Sequence, residues 1–186
     1  VPFCSNVLYD GLHRVRLVRT AGLMEIDGVQ ARRIAVLTPA SGVVNETSTA
    51  FTYTGTWSTV TNASLGGMRF QGGSARRTTA TGASVEFYVN GTGFVLYTSF
   101  SGGAGATPIA GDYQILVNGS PITVTLNGVN QGNVIDLNNG WRFMPGGFGI
   151  TGLPAGINRI TLIKIDGNGN VANTEFADFD AIRVFP

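Results

Sequence analysis

Ionised side chains are what this sequence has least of. Asp, Glu, Lys and Arg make up 12% of its 186 residues, about half the share of an ordinary soluble domain. With a formal net charge of +1, the chain has no basic stripe to track phosphates, and nucleic acid is excluded as a partner. Arg76 and Arg77 are an isolated pair. The single cysteine, Cys4, closes no intrachain disulfide, and a single histidine leaves no zinc set. Stability must therefore come from burial and sheet hydrogen bonds. No run approaches the roughly 18 apolar residues of a membrane span, and no charged-then-apolar leader opens the chain. Its start at Val1 fits a processed product or an excised segment. Disorder is excluded as well, because 43% of the residues are hydrophobic. Low charge with abundant Gly, Thr and Asn suits an extracellular or surface-associated protein.

What is present is a set of short alternating runs separated by turn dipeptides. Val85, Phe87 and Val89 share a face, as do Tyr113, Ile115 and Val117, then Ile122, Val124 and Leu126, and later Ile160 and Leu162. Between such runs lie Asn90-Gly91, Asn118-Gly119, Asn127-Gly128, Asn139-Gly140 and Asp166-Gly167. Asn, Asp and Gly tolerate the positive φ of tight hairpins. Helical periodicity is absent, so the expected fold is an all-β antiparallel sandwich or jelly roll.

An internal repeat sets the expected domain organisation. Residues 11–19, Gly-Leu-His-Arg-Val-Arg-Leu-Val-Arg, lie without a gap over residues 156–164, Gly-Ile-Asn-Arg-Ile-Thr-Leu-Ile-Lys. A second pair follows, residues 25–30 over residues 178–183, after a connection eight residues shorter in the first copy. Residues 1–39 therefore read as a strand segment that repeats the closing strands of a domain. A linker around Thr38-Pro39-Ala40-Ser41-Gly42 follows, then one complete sandwich over 43–186.

That second domain resembles the galactose-binding-like jelly rolls found as carbohydrate-binding modules and as accessory domains of bacterial surface and phage tail proteins. The resemblance runs through Tyr53-Thr54-Gly55-Thr56-Trp57, residues 82–87 leading to Gly91-Thr92-Gly93-Phe94, the hairpin from Gly111-Asp112-Tyr113 to Val117-Asn118-Gly119, Leu153-Pro154-Ala155-Gly156, and residues 178–182. It implies a two-sheet jelly roll, often with sugar bound at loops on one end. These are strand-and-turn signatures, so they speak to fold more than to ligand.

Residue types for catalysis do not assemble, and no cofactor is expected. His13 has no catalytic partner nearby, and Cys4 lacks the setting that would lower its pKa. Asp178 and Asp180 share a strand face, but the matching Glu25 and Asp27 in the first copy favour a structural device such as a loop anchor. Asp166-Gly167-Asn168-Gly169-Asn170 lacks the acidic twelfth position of a calcium loop, and residues 101–106 lack the Lys-Ser or Lys-Thr of a phosphate loop. No metal is expected at either. Four Asn-x-Ser/Thr sequons stand at Asn45, Asn62, Asn90 and Asn118.

Two non-enzymatic functions remain, and self-assembly is the expected one. In it the chain polymerises head to tail, and its N-terminal segment adds strands to a neighbouring copy through Val15, Leu17, Ile26, Val29, Ile34 and Val36. In the alternative the chain recognises a glycan by stacking sugar faces on Trp57, Tyr97 and Trp141, with Asn139 and Arg142 as polar partners.

Overall fold

The computed structural model describes residues 34–62, 69–100, 111–123, 125–126, 129–130, 132–137, 144–165 and 175–186. The chain divides after Arg33, and everything described belongs to the unit Ile34–Pro186. Val15, Leu17, Ile26, Val29, Asn139, Trp141 and Arg142 lie outside the described residues, as do Cys4, His13, the 101–106 run and the 166–170 loop.

Among the described residues sixteen strands follow in chain order. They are β1 (Val36–Leu37), β2 (Val43–Asn45), β3 (Thr52–Thr54), β4 (Ser58–Thr61), β5 (Ser74–Thr78), β6 (Ser84–Asn90), β7 (Gly93–Phe100) and β8 (Asp112–Val117). Then come β9 (Ser120–Pro121), β10 (Thr125–Leu126), β11 (Val129–Asn130), β12 (Val134–Ile135), β13 (Met144–Thr151), β14 (Ile157–Ile165), β15 (Ala177–Phe179) and β16 (Ala181–Phe185). Helical structure among the described residues is confined to short 3-10 turns such as Pro39–Ser41 and Gln71–Gly73. The unit is an all-β sandwich of the jelly-roll kind.

One sheet runs β1-β6-β14-β8-β12, with β3 also on β6 and β9 on β8; the second runs β11-β10-β13-β7-β16-β2. A third, three-stranded sheet runs β15-β5-β4. Pairing is antiparallel except for β1, which lies parallel to β6. The period-two runs explain which face each strand buries. Val85, Phe87 and Val89 on β6, Tyr113 and Ile115 on β8, and Ile160 and Leu162 on β14 are completely buried. They meet Phe94 and Leu96 of β7, Ile150 of β13 and Ile182 of β16 from the opposing sheet in one core. Phe87 and Phe94 make edge-to-face contact across it at 5.6 Å, and each such ring contributes about 1.5–3 kcal/mol through burial.

Two details depart from the sequence expectation. Ile34 and Val36 lie inside this unit, and Leu37 is buried in its core, so the domain begins ahead of Val43. Gly91 does not adopt positive φ, whereas Asn118 (φ 54°) and Gly119 (φ 85°) form the expected left-handed turn. Gly91 is required for another reason: a Cβ there would stand 2.3 Å from the Phe185 carbonyl oxygen.

Candidate functional site

The chemistry of the unit gathers where its first strands meet its closing strands. β15 ends at Phe179 and β16 begins at Ala181, so Asp178 and Asp180 flank the step from one sheet to another. Both are buried, yet they do different work. Asp178 is gripped by Arg77, whose Nε and Nη2 each donate to it at 2.7 Å. The Ser99 hydroxyl also donates to the Asp178 carboxylate, and the Thr98 hydroxyl to its backbone carbonyl. Arg77 in turn lies 3.8 Å from the centre of the Phe176 ring. This bidentate pair ties β5 to β15, and a carboxylate so occupied is not a free base.

Asp180 accepts a 2.9 Å hydrogen bond from the Gln71 backbone N–H through Oδ2, while its Oδ1 is buried with no partner. This is the loop-anchoring role expected of the closing carboxylates. Beside it stands Glu46, also buried, whose Oε1 accepts from the Ser74 hydroxyl at 2.5 Å and whose backbone N–H donates to the Asp180 carbonyl. The Asn45 Oδ1 is a second buried oxygen without a partner. Burial, reinforced by the Glu46 and Asp178 charges, pushes the Asp180 carboxyl up to about 7, against the lowering effect of the Gln71 N–H.

Buried acceptors with too few donors favour the protonated form of Asp180. Among the described residues no three His, Cys, Asp or Glu side chains converge as a metal centre.

The same corner carries two half-buried aromatic side chains, Tyr53 and Trp57, which pack against the core. The Tyr53 hydroxyl donates to the Glu46 carbonyl at 2.8 Å, which fixes its ring beside the carboxylate pocket. Burial, then the Glu46 charge, drives its phenol pKa upward. Trp57 meets Tyr53 edge-on with ring centres 5.2 Å apart, and its indole N–H donates to the Thr54 carbonyl at 3.0 Å. The Arg76 guanidinium sits 5.7 Å over the Tyr53 ring. Thr52, Thr54, Thr56, Ser58, Thr59 and Thr61 are all exposed along β3, β4 and the bend between them.

Tyr97 is elsewhere, on the outer face of the second sheet opposite Gly147. A Cβ on Gly147 would lie 3.2 Å from its ring, so the tyrosine leans across the glycine. The sequence reading groups Trp57 and Tyr97 together, but Trp57 lies in the bend between β3 and β4 and Tyr97 on β7.

Sequence reasoning overlooked Asn45, Glu46, Tyr53 and Arg76 as parts of this site. One signal was available: Glu46 is one of only 11 acidic residues and stands two positions after the apolar pair Val43-Val44.

A second group of acids surrounds Asp112 at the start of β8. Burial and the neighbouring Asp136 raise the Asp112 carboxyl to about 6, with a smaller contribution from Glu175. Asp112 accepts from the Leu137 N–H at 3.2 Å.

No protein-family description and no curated protein matches the chain. Solved structures do show similarity. A family two carbohydrate esterase from Cellvibrio japonicus is 11% identical with a TM-score of 0.48, over 75% of this chain and 32% of that one. A family 35 carbohydrate-binding module from an environmental isolate is 20% identical with a TM-score of 0.46, over 77% of this chain and 92% of the module. A family 35 module solved with a disaccharide containing glucuronic acid is 16% identical with a TM-score of 0.45, over 75% and 89%. The chain thus spans about a third of the esterase and most of each module, and its structural neighbours include jelly-roll modules of family 35.

Proposed function

We propose that this chain is a non-catalytic module that binds carbohydrate at the corner between β3 and β4. The observation that carries the reading is the Tyr53, Trp57 and Arg76 cluster within a surface of exposed hydroxyl side chains. Sugars offer apolar C–H faces that stack on aromatic rings, and hydroxyls that exchange hydrogen bonds with neutral hydroxyls and guanidinium groups. The engagement of Asp178 by Arg77 and Ser99, and the burial of Asp180, support a non-catalytic role.

A glycan array probed with the full chain tests the proposal. Trp57→Ala is expected to weaken the best ligand at least about tenfold, roughly 1.4 kcal/mol. Because Trp57 also packs against the core, Arg76→Ala serves as the second variant and should weaken binding while leaving circular dichroism unchanged. Wild-type affinity in both variants together with loss in Trp141→Ala would move the site to the 138–143 segment. Absence of any glycan binding by the intact chain would overturn the proposal.

Self-association remains a second reading, motivated by the repeat. The segment 11–19 copies Gly156 to Lys164, and in the domain β14 is bonded on both sides, to β6 and to β8. A strand built for two neighbours is poorly served by addition to one sheet edge, which is why glycan binding is ranked first. Static light scattering decides the matter: an assembly dissolved by Leu17→Asp would restore self-association, and a full-length monomer at high concentration would retire it.

A further inference from the structure

The four sequons differ sharply in what the fold leaves free, and we infer that Asn90 is the site at which this chain accepts an N-linked glycan. Three of the four asparagines are occupied by structure. Asn45 buries its Oδ1, and its amide nitrogen lies 2.8 Å from where a Cβ on Gly72 would stand. Asn62 Oδ1 accepts a 2.6 Å hydrogen bond from the Phe70 N–H. Asn118 spends both ends of its amide, with Oδ1 accepting from the Arg159 N–H at 2.9 Å and Nδ2 donating to Asn158 Oδ1 at 3.1 Å. An oligosaccharide on Asn45 or Asn118 would have to displace the packing or hydrogen bond of that nitrogen, and on Asn62 it would hang from an amide whose oxygen is already tied to the Phe70 N–H. Asn90 is exposed at the end of β6, and Thr92, two residues on in the β6–β7 turn, is exposed as well, its hydroxyl donating to the Pro186 carbonyl at 2.5 Å. Gly91 between them is pressed against the Phe185 carbonyl, which fixes the turn without using the Asn90 side chain.

The reaction class is transfer from a lipid-pyrophosphate-linked oligosaccharide. Asn90 Nδ2 forms a bond to the anomeric carbon as the bond from that carbon to the pyrophosphate oxygen breaks. The pyrophosphate leaves with the electron pair, and one amide proton passes to base. Asn90 also lies far from the glycan-binding corner. Tyr53 pairs with Val85, five residues back along β6, which is about 17 Å in an extended strand. The attached sugar would leave that surface open.

The test is secretion of the full chain from a host that carries out N-glycosylation, followed by intact mass and peptide mapping after enzymatic glycan removal in heavy-oxygen water. One glycan per secreted chain is expected, with the label at Asn90, and Asn90→Gln should be secreted folded and unglycosylated. A label at Asn45, Asn62 or Asn118 in folded material, or a folded secreted chain without any glycan, would overturn the inference. Array binding by the glycosylated chain is a separate readout, so failure here leaves the carbohydrate-binding proposal standing.

Discussion

At the scale of single residues, the two closing aspartates should fail in opposite ways. Asp178→Ala removes the carboxylate that the largely buried Arg77 guanidinium grips at two points. A loss of about 3–5 kcal/mol is expected in urea denaturation. Asp180 carries the pH dependence. Its folded pKa of about 7 lies above the ordinary 3.8, so the folded state holds a proton that the unfolded state has already released. Stability contributed by that proton is complete below about pH 4 and is lost as pH rises towards 7. Asp112, at about 6, acts in the same direction. Chelator-treated protein should therefore melt at progressively lower temperature between pH 4 and 7. Asp180→Asn, which places an amide donor where the orphan oxygen stood, should flatten the decline.

At the scale of elements, the strands were legible and their partners were not. Alternation in Val85, Phe87 and Val89 exposes a half-buried strand to any reader, because the pleat sends successive side chains to opposite faces. Nothing local says that β6 has β14 on one side and both β1 and β3 on the other. Likewise, a Val-Leu dipeptide at residues 36 and 37 is too short to show a period, and it was placed with the preceding segment. The structure gives β1 a parallel pairing on β6 and buries Leu37. A chain beginning at Val43 should accordingly lose about 1.5–3 kcal/mol relative to one beginning at Ile34, measured by denaturant midpoint. The aromatic corner was only half legible: Trp57 stands out by residue type, whereas Arg76 reaches Tyr53 because β5 pairs with β4.

At the scale of the whole molecule, far-ultraviolet circular dichroism should show well under about a fifth helix, since only short 3-10 turns interrupt the strands among the described residues. The more consequential feature is the partnership of β2 with β16, which sets Val43 beside Arg183 and Ala181 beside Asn45. The second and the final strands of the unit thus lie side by side, and β16 also pairs with β7. Such closure makes the fold a matter of timing. A chain emerging from the ribosome cannot seal its second sheet until the last strand is free, and contacts so distant in sequence put folding in the millisecond-to-second range typical of sandwiches. Clipping the chain within Ala181–Phe185 would remove the bonded neighbour of two strands at once, so a protease acting there should release an unfolded product rather than a trimmed domain.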